Sequence, residues 1–204
     1  YPVREALGKD FDGTLKELAA IGYKRIEMCS PPGYQGGYAP LVGMKASELK
    51  KHIQDAGLGC ESCHYTAKEL RESIDDRIAY AKELGLKQMV LSSFAVPRNA
   101  TMSDWMRAAG ELNKFAASIH KAGLVAGFHN HDGEFAKLDG VLLYDKLMSE
   151  LDPKLVKMQF QVSVVRLGFE AATYFEKYPG RFCSIHLQDY SAESKRTVAV
   201  GQGS

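Results

Sequence analysis

The amino-acid sequence predicts an α/β fold built from repeated parallel β/α units. Four times along the chain, a helical pattern ends at a glycine and a short apolar run follows, which closes on polar or ionisable residues. Glycine suits the position just past a helix, where the backbone turns left-handed, and an unbroken apolar run is typical of a strand covered on both faces. The glycines are Gly22, Gly57, Gly85 and Gly123. We therefore expect a buried parallel strand directly after each of them.

Helical and strand patterns alternate along the sequence. The helices are expected near residues 12–21, 46–56, 67–84, 103–122, 139–150 and 169–177. The strands are expected near residues 24–28, 58–64, 87–92, 124–129, 155–161 and 182–187. This alternation predicts a parallel sheet, because parallel strands need a crossover connection, which is usually a helix.

Three of the helices have recognisable start signals. Thr66 and Glu69 form a capping-box pattern before the third helix. Ser103-Asp104 precedes the fourth helix, and Asp139 precedes the fifth. Polar residues of these types predict the helix starts because their side chains can accept hydrogen bonds from the first backbone N–H groups.

The number of strands limits the choice of architecture. A closed (β/α)₈ barrel uses eight strands and typically about 250 residues, whereas this sequence has 204 residues and six clear strands. The competing doubly wound sheet usually has a glycine-rich phosphate loop after its first strand, and no such motif occurs. We expect a (β/α)₈ TIM barrel that is incomplete in this chain, with the first and last strands missing or weak, in a single domain over residues 1–204.

Composition argues against several classes of partner. The formal net charge is +1, and no basic cluster is denser than Lys50-Lys51, so a nucleic-acid partner is not expected. No apolar stretch approaches the roughly 20 residues that cross a bilayer, so no membrane span is expected. The first residues do not resemble a signal peptide. The compartment stays open between the cytoplasm and, if a leader has been removed, the periplasm or the cell exterior.

The four cysteines are expected to be free thiols. Cys60 and Cys63 form a C-x-x-C pattern, which can indicate zinc or redox chemistry. However, no second pair is present, and the segment resembles a strand rather than a helix N-terminus. The other two cysteines are Cys29 and Cys183. Four cysteines mostly near strand ends do not indicate a disulfide framework.

Backbone direction places one end of every parallel strand at the same edge of the sheet. The first four apolar runs close on Glu27, His64, Ser92, Ser93, His129 and His131. Parallel β/α folds carry their chemistry at this carboxyl edge. We therefore predict a functional site there from position alone.

The densest polar motif is the segment from residue 127 to 135, Gly-Phe-His-Asn-His-Asp-Gly-Glu-Phe. Its two histidines, His129 and His131, would share one face of a strand. Imidazole binds divalent metals and changes charge near neutral pH, and Asp132 or Glu134 can orient it or accept a proton. Paired histidines also occur by chance on solvated loops, so the position at a strand end is what favours a functional interpretation.

A second motif, Ser-Ile-His-Leu-Gln-Asp-Tyr at residues 184–190, adds another strand-end histidine. His186 is the third in one predicted layer, after His64 and His129, and Asp189 follows it by three residues. Glu27 is a carboxylate in the same layer, where it can serve as base, ligand or hydroxyl acceptor. The alternative for Glu27 is a salt bridge with the neighbouring Arg25 or Lys24.

These motifs together resemble the sugar phosphate isomerase/epimerase family, which has the xylose-isomerase-like TIM barrel. The segments that carry the resemblance are residues 1–7, 22–27, 127–135, 152–157, 177–182, 186–189 and 201–203. The resemblance implies a divalent metal held at successive strand ends and proton transfer at a carbon beside a carbonyl. His186 matches the family's metal histidine, whereas His129 stands where many relatives have glutamate. Gln161 stands in the place of the usual metal aspartate, and the last family glutamate would lie beyond Ser204.

From the motifs and the resemblance we predict a site for a small-molecule carbohydrate. The predicted catalytic residues are Glu27, His129 and His186. The predicted substrate-binding residues are His64, Trp105, His131, Glu134 and Asp189. The predicted ligands for a divalent metal, Mn, Mg, Co or Zn, are His129, Gln161 and His186. Oligomerisation with further copies of the chain is also expected, because missing strands would leave exposed sheet edges.

Three alternatives follow from the neutral amide at position 161. A carboxamide oxygen is a much weaker partner for a hard dication than a carboxylate. The site can bind a softer or weakly held metal, it can work on a sugar with acid and base groups alone, or it can bind carbohydrate without catalysis.

Overall fold

A computed structural model describes residues 2–203 and divides the chain into two compact units. The first unit comprises Tyr1–Ser92 with Ser118–Ala126, and the second comprises Ser93–Ala117 with Gly127–Ser204. The expectation of a single domain over residues 1–204 stays a prediction.

The first unit is an alternating series of helices and parallel strands. Its elements are α1 (Arg4–Lys9), α2 (Phe11–Ala20), β1 (Arg25–Cys29), α3 (Ala46–Asp55), β2 (Gly59–Tyr65), α4 (Ala67–Leu84) and β3 (Gln88–Leu91). Strand β2 lies between β1 and β3 and is parallel to both. The helices bury Leu15, Leu49, Ile53 and Leu70 almost completely. This burial of large aliphatic side chains stabilises the unit through the hydrophobic effect.

Helix α5 (Met102–Lys121) and strand β4 (Val125–His129) contribute residues to both units. The remaining elements of the second unit are β5 (Lys137–Leu138), β6 (Val141–Leu142), α6 (Leu143–Glu150), β7 (Val156–Gln161), α7 (Ala171–Lys177), β8 (Phe182–His186), β9 (Asp189–Ser191) and β10 (Arg196–Val198). Strand β7 lies between β4 and β8 and is parallel to β8, and β5–β6 and β9–β10 are antiparallel hairpins. Aromatic rings form its core, with Phe135 stacked on Tyr144 at 4.6 Å between centroids.

The register shifts by one residue in two of the strand pairs. Between β1 and β2, Ile26 pairs with Cys60, but Glu27 pairs with Ser62, so Glu61 is the extra residue. Between β7 and β8, Met158 pairs with Phe182 and Gln159 pairs with Ser184. A shift of one residue changes which side chains face each other on the same side of a sheet.

The six predicted strands and the six predicted helices are all present. The four glycines after helices have positive φ, from 79° at Gly57 to 106° at Gly22, which confirms the left-handed turn at each position. Six features of the described residues were not predicted from the sequence. These are α1, the two hairpins, and the 3₁₀ helices Gly36–Leu41, Gly133–Phe135 and Val162–Leu167. Each is short, and short elements leave no repeated hydrophobic pattern.

One helix start was predicted correctly and two were wrong. Thr66 and Glu69 form the predicted capping box at α4. Asp139 does not start α6, because it lies in the turn of the β5–β6 hairpin with a φ of 52°. At α5 the capping residue is Thr101 rather than Ser103: Thr101 Oγ1 accepts from the backbone N–H of Asp104 at 3.3 Å. The Asp104 carboxylate in turn accepts from the Thr101 backbone N–H at 2.9 Å.

The prediction that the cysteines are free thiols is confirmed. Cys29, Cys60, Cys63 and Cys183 are free. No helix within residues 2–203 combines the length and the hydropathy that a membrane span requires.

We predict that Thr101→Ala lowers the free energy of unfolding by about 1 kcal/mol, because it removes the side chain that caps α5. Ser103→Ala is the matched control, and it should change the free energy by less than about 0.5 kcal/mol, because Ser103 is an exposed residue without a capping role. Urea denaturation of the three proteins measures the difference. An equal loss in both variants would show that the cap lies elsewhere.

Candidate active site

The first unit places Glu27 of β1 beside Ser62 and His64 of β2. Ser62 pairs with Glu27 in the register, and Ser62 and His64 are two residues apart on one face of their strand. Ser62 Oγ donates a hydrogen bond to Glu27 Oε2. The other carboxylate oxygen, Oε1, lies 3.1 Å from His64 Nε2. The carboxylate is therefore oriented from both of its oxygens by residues of the adjacent strand.

The sequence left open a salt bridge between Glu27 and Arg25 or Lys24, but Arg25 pairs with a different carboxylate, that of Glu61. Arg25 Nε lies 3.5 Å from the carboxylate of Glu61, and Lys87 Nζ lies 2.7 Å from it. The hydrogen bond from Lys87 lowers the pKa of Glu61. Glu61, rather than Glu27, is therefore the ion-pair partner of Arg25.

The second unit brings three histidines together. The ring of His129, the last residue of β4, lies 4.6 Å from the ring of His186, the last residue of β8. The ring of His131 packs edge-on against His129 at 4.8 Å. His129 is buried, with 5% of its surface exposed. A potential ligand nitrogen of His129 lies within 4.8 Å of one of His186.

Asn130, between the two histidines of the motif, ties the end of β4 to the end of β7. Its side-chain Oδ1 accepts from the backbone N–H of Gln161 at 3.0 Å, and its Nδ2 donates to the Gln161 carbonyl at 3.4 Å. Asn130 is fully buried. A buried amide that satisfies both backbone groups of one residue holds His129 and Gln161 in a defined relative position.

Gln161 is directly next to His186, its partner in the β7–β8 register. Its Nε2 donates to Oε1 of Gln188 at 3.1 Å, which orients the amide. Its Oε1 is buried and accepts no hydrogen bond from any residue in the described range 2–203. A buried carbonyl oxygen without a donor is an available ligand for a metal ion, a water molecule or a substrate hydroxyl.

The two acidic residues of the histidine motif bind a backbone N–H group and an arginine. Glu134 is buried, and its Oε2 accepts from the backbone N–H of His131 at 2.7 Å. Burial raises the pKa of Glu134. The carboxylate of Asp132 pairs with Arg166. Both carboxylates therefore stabilise the turn that carries His131.

The other two predicted substrate-binding residues of this unit lie in different surroundings. Trp105 of α5 contacts Phe94 edge-on at 5.9 Å, and Phe94 stacks on Phe128 of β4 at 4.0 Å. Asp189 accepts from the backbone N–H groups of Tyr190, Gly201 and Gly203 at 2.8–2.9 Å. Those hydrogen bonds lower the pKa of Asp189, and the one from Gly203 has the largest effect. Asp189 thus fastens the segment that follows β10.

Three residues of these clusters were not singled out from the sequence. Ser62, Asn130 and Gln188 act through hydrogen bonds to Glu27 and Gln161. Asn130 lies inside the histidine motif, and an amide between two candidate site residues is a signal that the sequence offers. Ser62 and Gln188 carry no such signal, because their partners are set by the strand register.

A divalent metal fits the second cluster only in part. His129, Gln161 and His186 offer two imidazoles and one carboxamide, and none of these ligands carries a negative charge. Imidazole suits Zn²⁺ and its neighbours among the transition metals, whereas Mg²⁺ and Mn²⁺ prefer carboxylate oxygens. The donor set therefore fits a borderline dication and does not fit a hard one.

Comparison with known proteins identifies the family. The fold is that of α/β proteins with parallel barrel strands, and the family model described as xylose isomerase-like TIM barrel matches residues 15–204. The chain belongs to this family. It contributes six of the eight parallel strands that a complete barrel uses, so the barrel is incomplete within the described residues, as predicted.

Solved structures of related proteins support the assignment. A sugar phosphate isomerase/epimerase from Parabacteroides distasonis ATCC 8503 is 27% identical, over 90% of this chain and 71% of its own, with a TM-score of 0.74. A second one from the same organism is 22% identical, over 95% and 76%, with a TM-score of 0.76. An L-ribulose 3-epimerase is 17% identical, over 96% and 68%, with a TM-score of 0.68. The last two share the fold alone. No curated protein matches the sequence.

We predict that Asn130→Ala lowers the free energy of unfolding by about 1–3 kcal/mol, because it leaves the backbone N–H and carbonyl of Gln161 without their buried partner. Urea denaturation measures the loss. Asn113→Ala is the matched control, since Asn113 also bonds one backbone carbonyl and one backbone N–H, those of Glu150 and Asp152, but is only half-buried. The control should lose less stability, and an equal loss would contradict a special role for Asn130.

Proposed function

We propose that this protein is a sugar isomerase or epimerase that moves a proton next to a carbonyl group. The observation that carries the proposal is the pair of imidazoles at the ends of β4 and β8, 4.6 Å apart, in a chain of the xylose isomerase-like family. We assign a ketose, free or phosphorylated, as the substrate; the same fold occurs in the structural neighbour named L-ribulose 3-epimerase.

This class of reaction needs a proton acceptor and a group that stabilises negative charge on oxygen. A base removes the proton from the carbon beside the carbonyl; the C–H electron pair forms a C=C bond, and the carbonyl π pair moves onto the oxygen to give an enediolate. Return of the proton to the opposite face of the same carbon gives an epimer. Return to the neighbouring carbon, with a proton shift between the two oxygens, gives an isomer.

The histidine cluster supplies both kinds of group. We assign the base to His129, whose backbone is held by the buried Asn130. We assign His186 to the substrate oxygen, to which a protonated ring nitrogen can donate a hydrogen bond. His131 packs against His129 and can contact a sugar hydroxyl beside it. Imidazole suits both roles, because its ordinary pKa lies close to neutral pH.

The first unit offers a second candidate base. Glu27 is a carboxylate oriented by Ser62 and His64. A hydrogen-bonded carboxylate can accept a carbon-bound proton, with Ser62 as a positioning residue and His64 as a contact to substrate. The two candidate bases are distinguished by separate variants.

A dication, when bound, would be held by His129, Gln161 and His186 and would polarise a substrate oxygen as a Lewis acid. The remaining predicted contacts to carbohydrate are the ring of Trp105 and the polar groups of Glu134 and Asp189. Because both carboxylates bind backbone N–H groups, we assign them to shaping the loops around the substrate.

The rival function is a carbohydrate-binding barrel without catalysis. It is favoured by Gln161, whose amide stands where the family usually has a metal aspartate and bonds to Gln188. Neutral amides hydrogen-bond sugar hydroxyls well. Saccharide-dependent thermal stabilisation with no turnover and no metal dependence would support this rival.

We predict that Glu27→Gln lowers kcat for ketose epimerisation or isomerisation by about 10²–10⁴-fold if Glu27 is the base, because an amide cannot accept the proton. Glu61→Gln is the matched control, since Glu61 is a carboxylate of the same unit with surface ion-pair partners. It should leave kcat unchanged. Steady-state rates on a ketose panel measure both, and unchanged kcat in Glu27→Gln leaves His129 as the base.

The double variant His129→Ala, His186→Ala should lose the reaction, because it removes the proposed base and the proposed oxygen-binding group together. His120→Ala, at the exposed end of α5, is the control and should keep full activity. Equal rates for the double variant and the parent protein would remove both histidines from the mechanism.

A further inference from the structure

We propose that the cluster of His129, Gln161 and His186 binds a borderline dication of the Zn²⁺ and Co²⁺ type in preference to Mg²⁺ or Mn²⁺. The inference rests on the proposed function in taking this cluster as the active centre. It goes further by naming the class of ion, which neither the family nor the proposed reaction determines.

The first argument is the charge and chemistry of the ligands. Two neutral imidazoles and one carboxamide oxygen bring no negative charge to the ion. A hard dication such as Mg²⁺ loses its water shell reluctantly and is normally bound through carboxylates. Nitrogen ligands instead favour the later first-row metals: affinity rises from Mn²⁺ through Co²⁺ to Cu²⁺, and imidazole also suits Zn²⁺. The same three residues therefore discriminate against the hard ions.

The second argument is that the nearest acids in sequence already have other partners. Asp132 pairs with Arg166, and Glu134 accepts a hydrogen bond from the backbone of His131. Asp189, three residues after His186, binds three backbone N–H groups. Recruiting any of them as a metal ligand would break those bonds and leave buried or clustered N–H groups unsatisfied. These three acids therefore add no charge to the cluster of His129, Gln161 and His186.

The third argument is geometric. Candidate ligand nitrogens of His129 and His186 lie within 4.8 Å of each other, close enough for one ion at the usual Zn–N distance of about 2.0–2.1 Å after a small movement of the side chains. Gln161 is next to His186 in the strand register, and its Oε1 is buried and accepts no hydrogen bond within residues 2–203. Three protein ligands and one open position are typical of catalytic zinc.

The thiols of the first unit do not provide a better zinc site. Burial raises the pKa of Cys60 to about 12 and raises that of Cys63 as well. Metals bind the thiolate, so a raised pKa makes these two thiols weaker zinc ligands than ordinary cysteines.

The experiment is calorimetric titration of the chelator-treated protein with Zn²⁺, Co²⁺, Mn²⁺ and Mg²⁺, each alone, together with the visible absorption of the Co²⁺ form. We expect Zn²⁺ and Co²⁺ to bind at least about tenfold more tightly than Mn²⁺ and Mg²⁺. His186→Ala and His186→Asn should each weaken Zn²⁺ binding at least about tenfold, since one of three ligands is lost. His120→Ala should leave it unchanged. Circular dichroism of every variant verifies that it is folded.

A gain-of-charge variant tests the reason for the preference. Gln161→Asp restores a carboxylate at the same position, so it should raise the affinity for Mn²⁺ more than the affinity for Zn²⁺ and reduce the ratio between them. A ratio that does not change would contradict the argument from ligand charge.

Two results overturn the proposal: equal affinity for Mn²⁺ and Zn²⁺ in the parent protein, or Zn²⁺ affinity that both His186 variants leave intact. The same experiments, combined with assays of ketose turnover, test the proposed function separately from the metal site. Tight Zn²⁺ binding with no turnover of any ketose would refute the isomerase and leave the metal site. Turnover that survives chelation, in a protein that does not bind Zn²⁺, would refute the metal site and leave the isomerase.

Discussion

The candidate site in each unit depends on a one-residue shift in the register of two parallel strands. In the first unit the shift makes Glu61 an extra residue, so Glu27 pairs with Ser62, two positions before His64. In the second unit a corresponding shift before Gln159 pairs Gln161 with His186. Because side chains alternate between the two faces of a sheet, moving either register by one residue would place these pairs on opposite faces. Irregularities of this kind are common next to active sites, where they redirect a side chain.

Backbone-directed hydrogen bonds keep the second cluster in place. Asn130 satisfies both backbone groups of Gln161, and Glu134 satisfies the backbone N–H of His131. These contacts use a buried amide and a buried carboxylate for structure. The predicted metal ligands, by contrast, are two imidazoles and one carboxamide, although acids are abundant in the motif.

The two units offer different chemistry. The first holds a carboxylate between a hydroxyl and an imidazole, an arrangement suited to accepting a proton. The second holds imidazoles and a carbonyl oxygen, an arrangement suited to binding an ion or a polarised oxygen. Proton transfer beside a carbonyl needs both abilities, and the proposed function draws on both.

Local sequence determined the class of fold, the six strands, the glycine turns and the strand-end positions of His129 and His186, because periodicity and turn chemistry act over a few residues. Glu27 was expected at a strand end but is the middle residue of β1, which continues to Cys29. The predicted starts of α5 and α6 were wrong. The cap of α5 is Thr101 and Asp139 lies in a hairpin turn, and the sequence alone does not show which backbone N–H groups lie near a polar side chain. Tertiary structure alone decided the register shifts, the pairing of Asn130 with Gln161, and the engagement of Asp132, Glu134 and Asp189 by distant or backbone partners. Those outcomes depend on contacts between segments far apart in the chain, and no local pattern encodes which strand residue will face which.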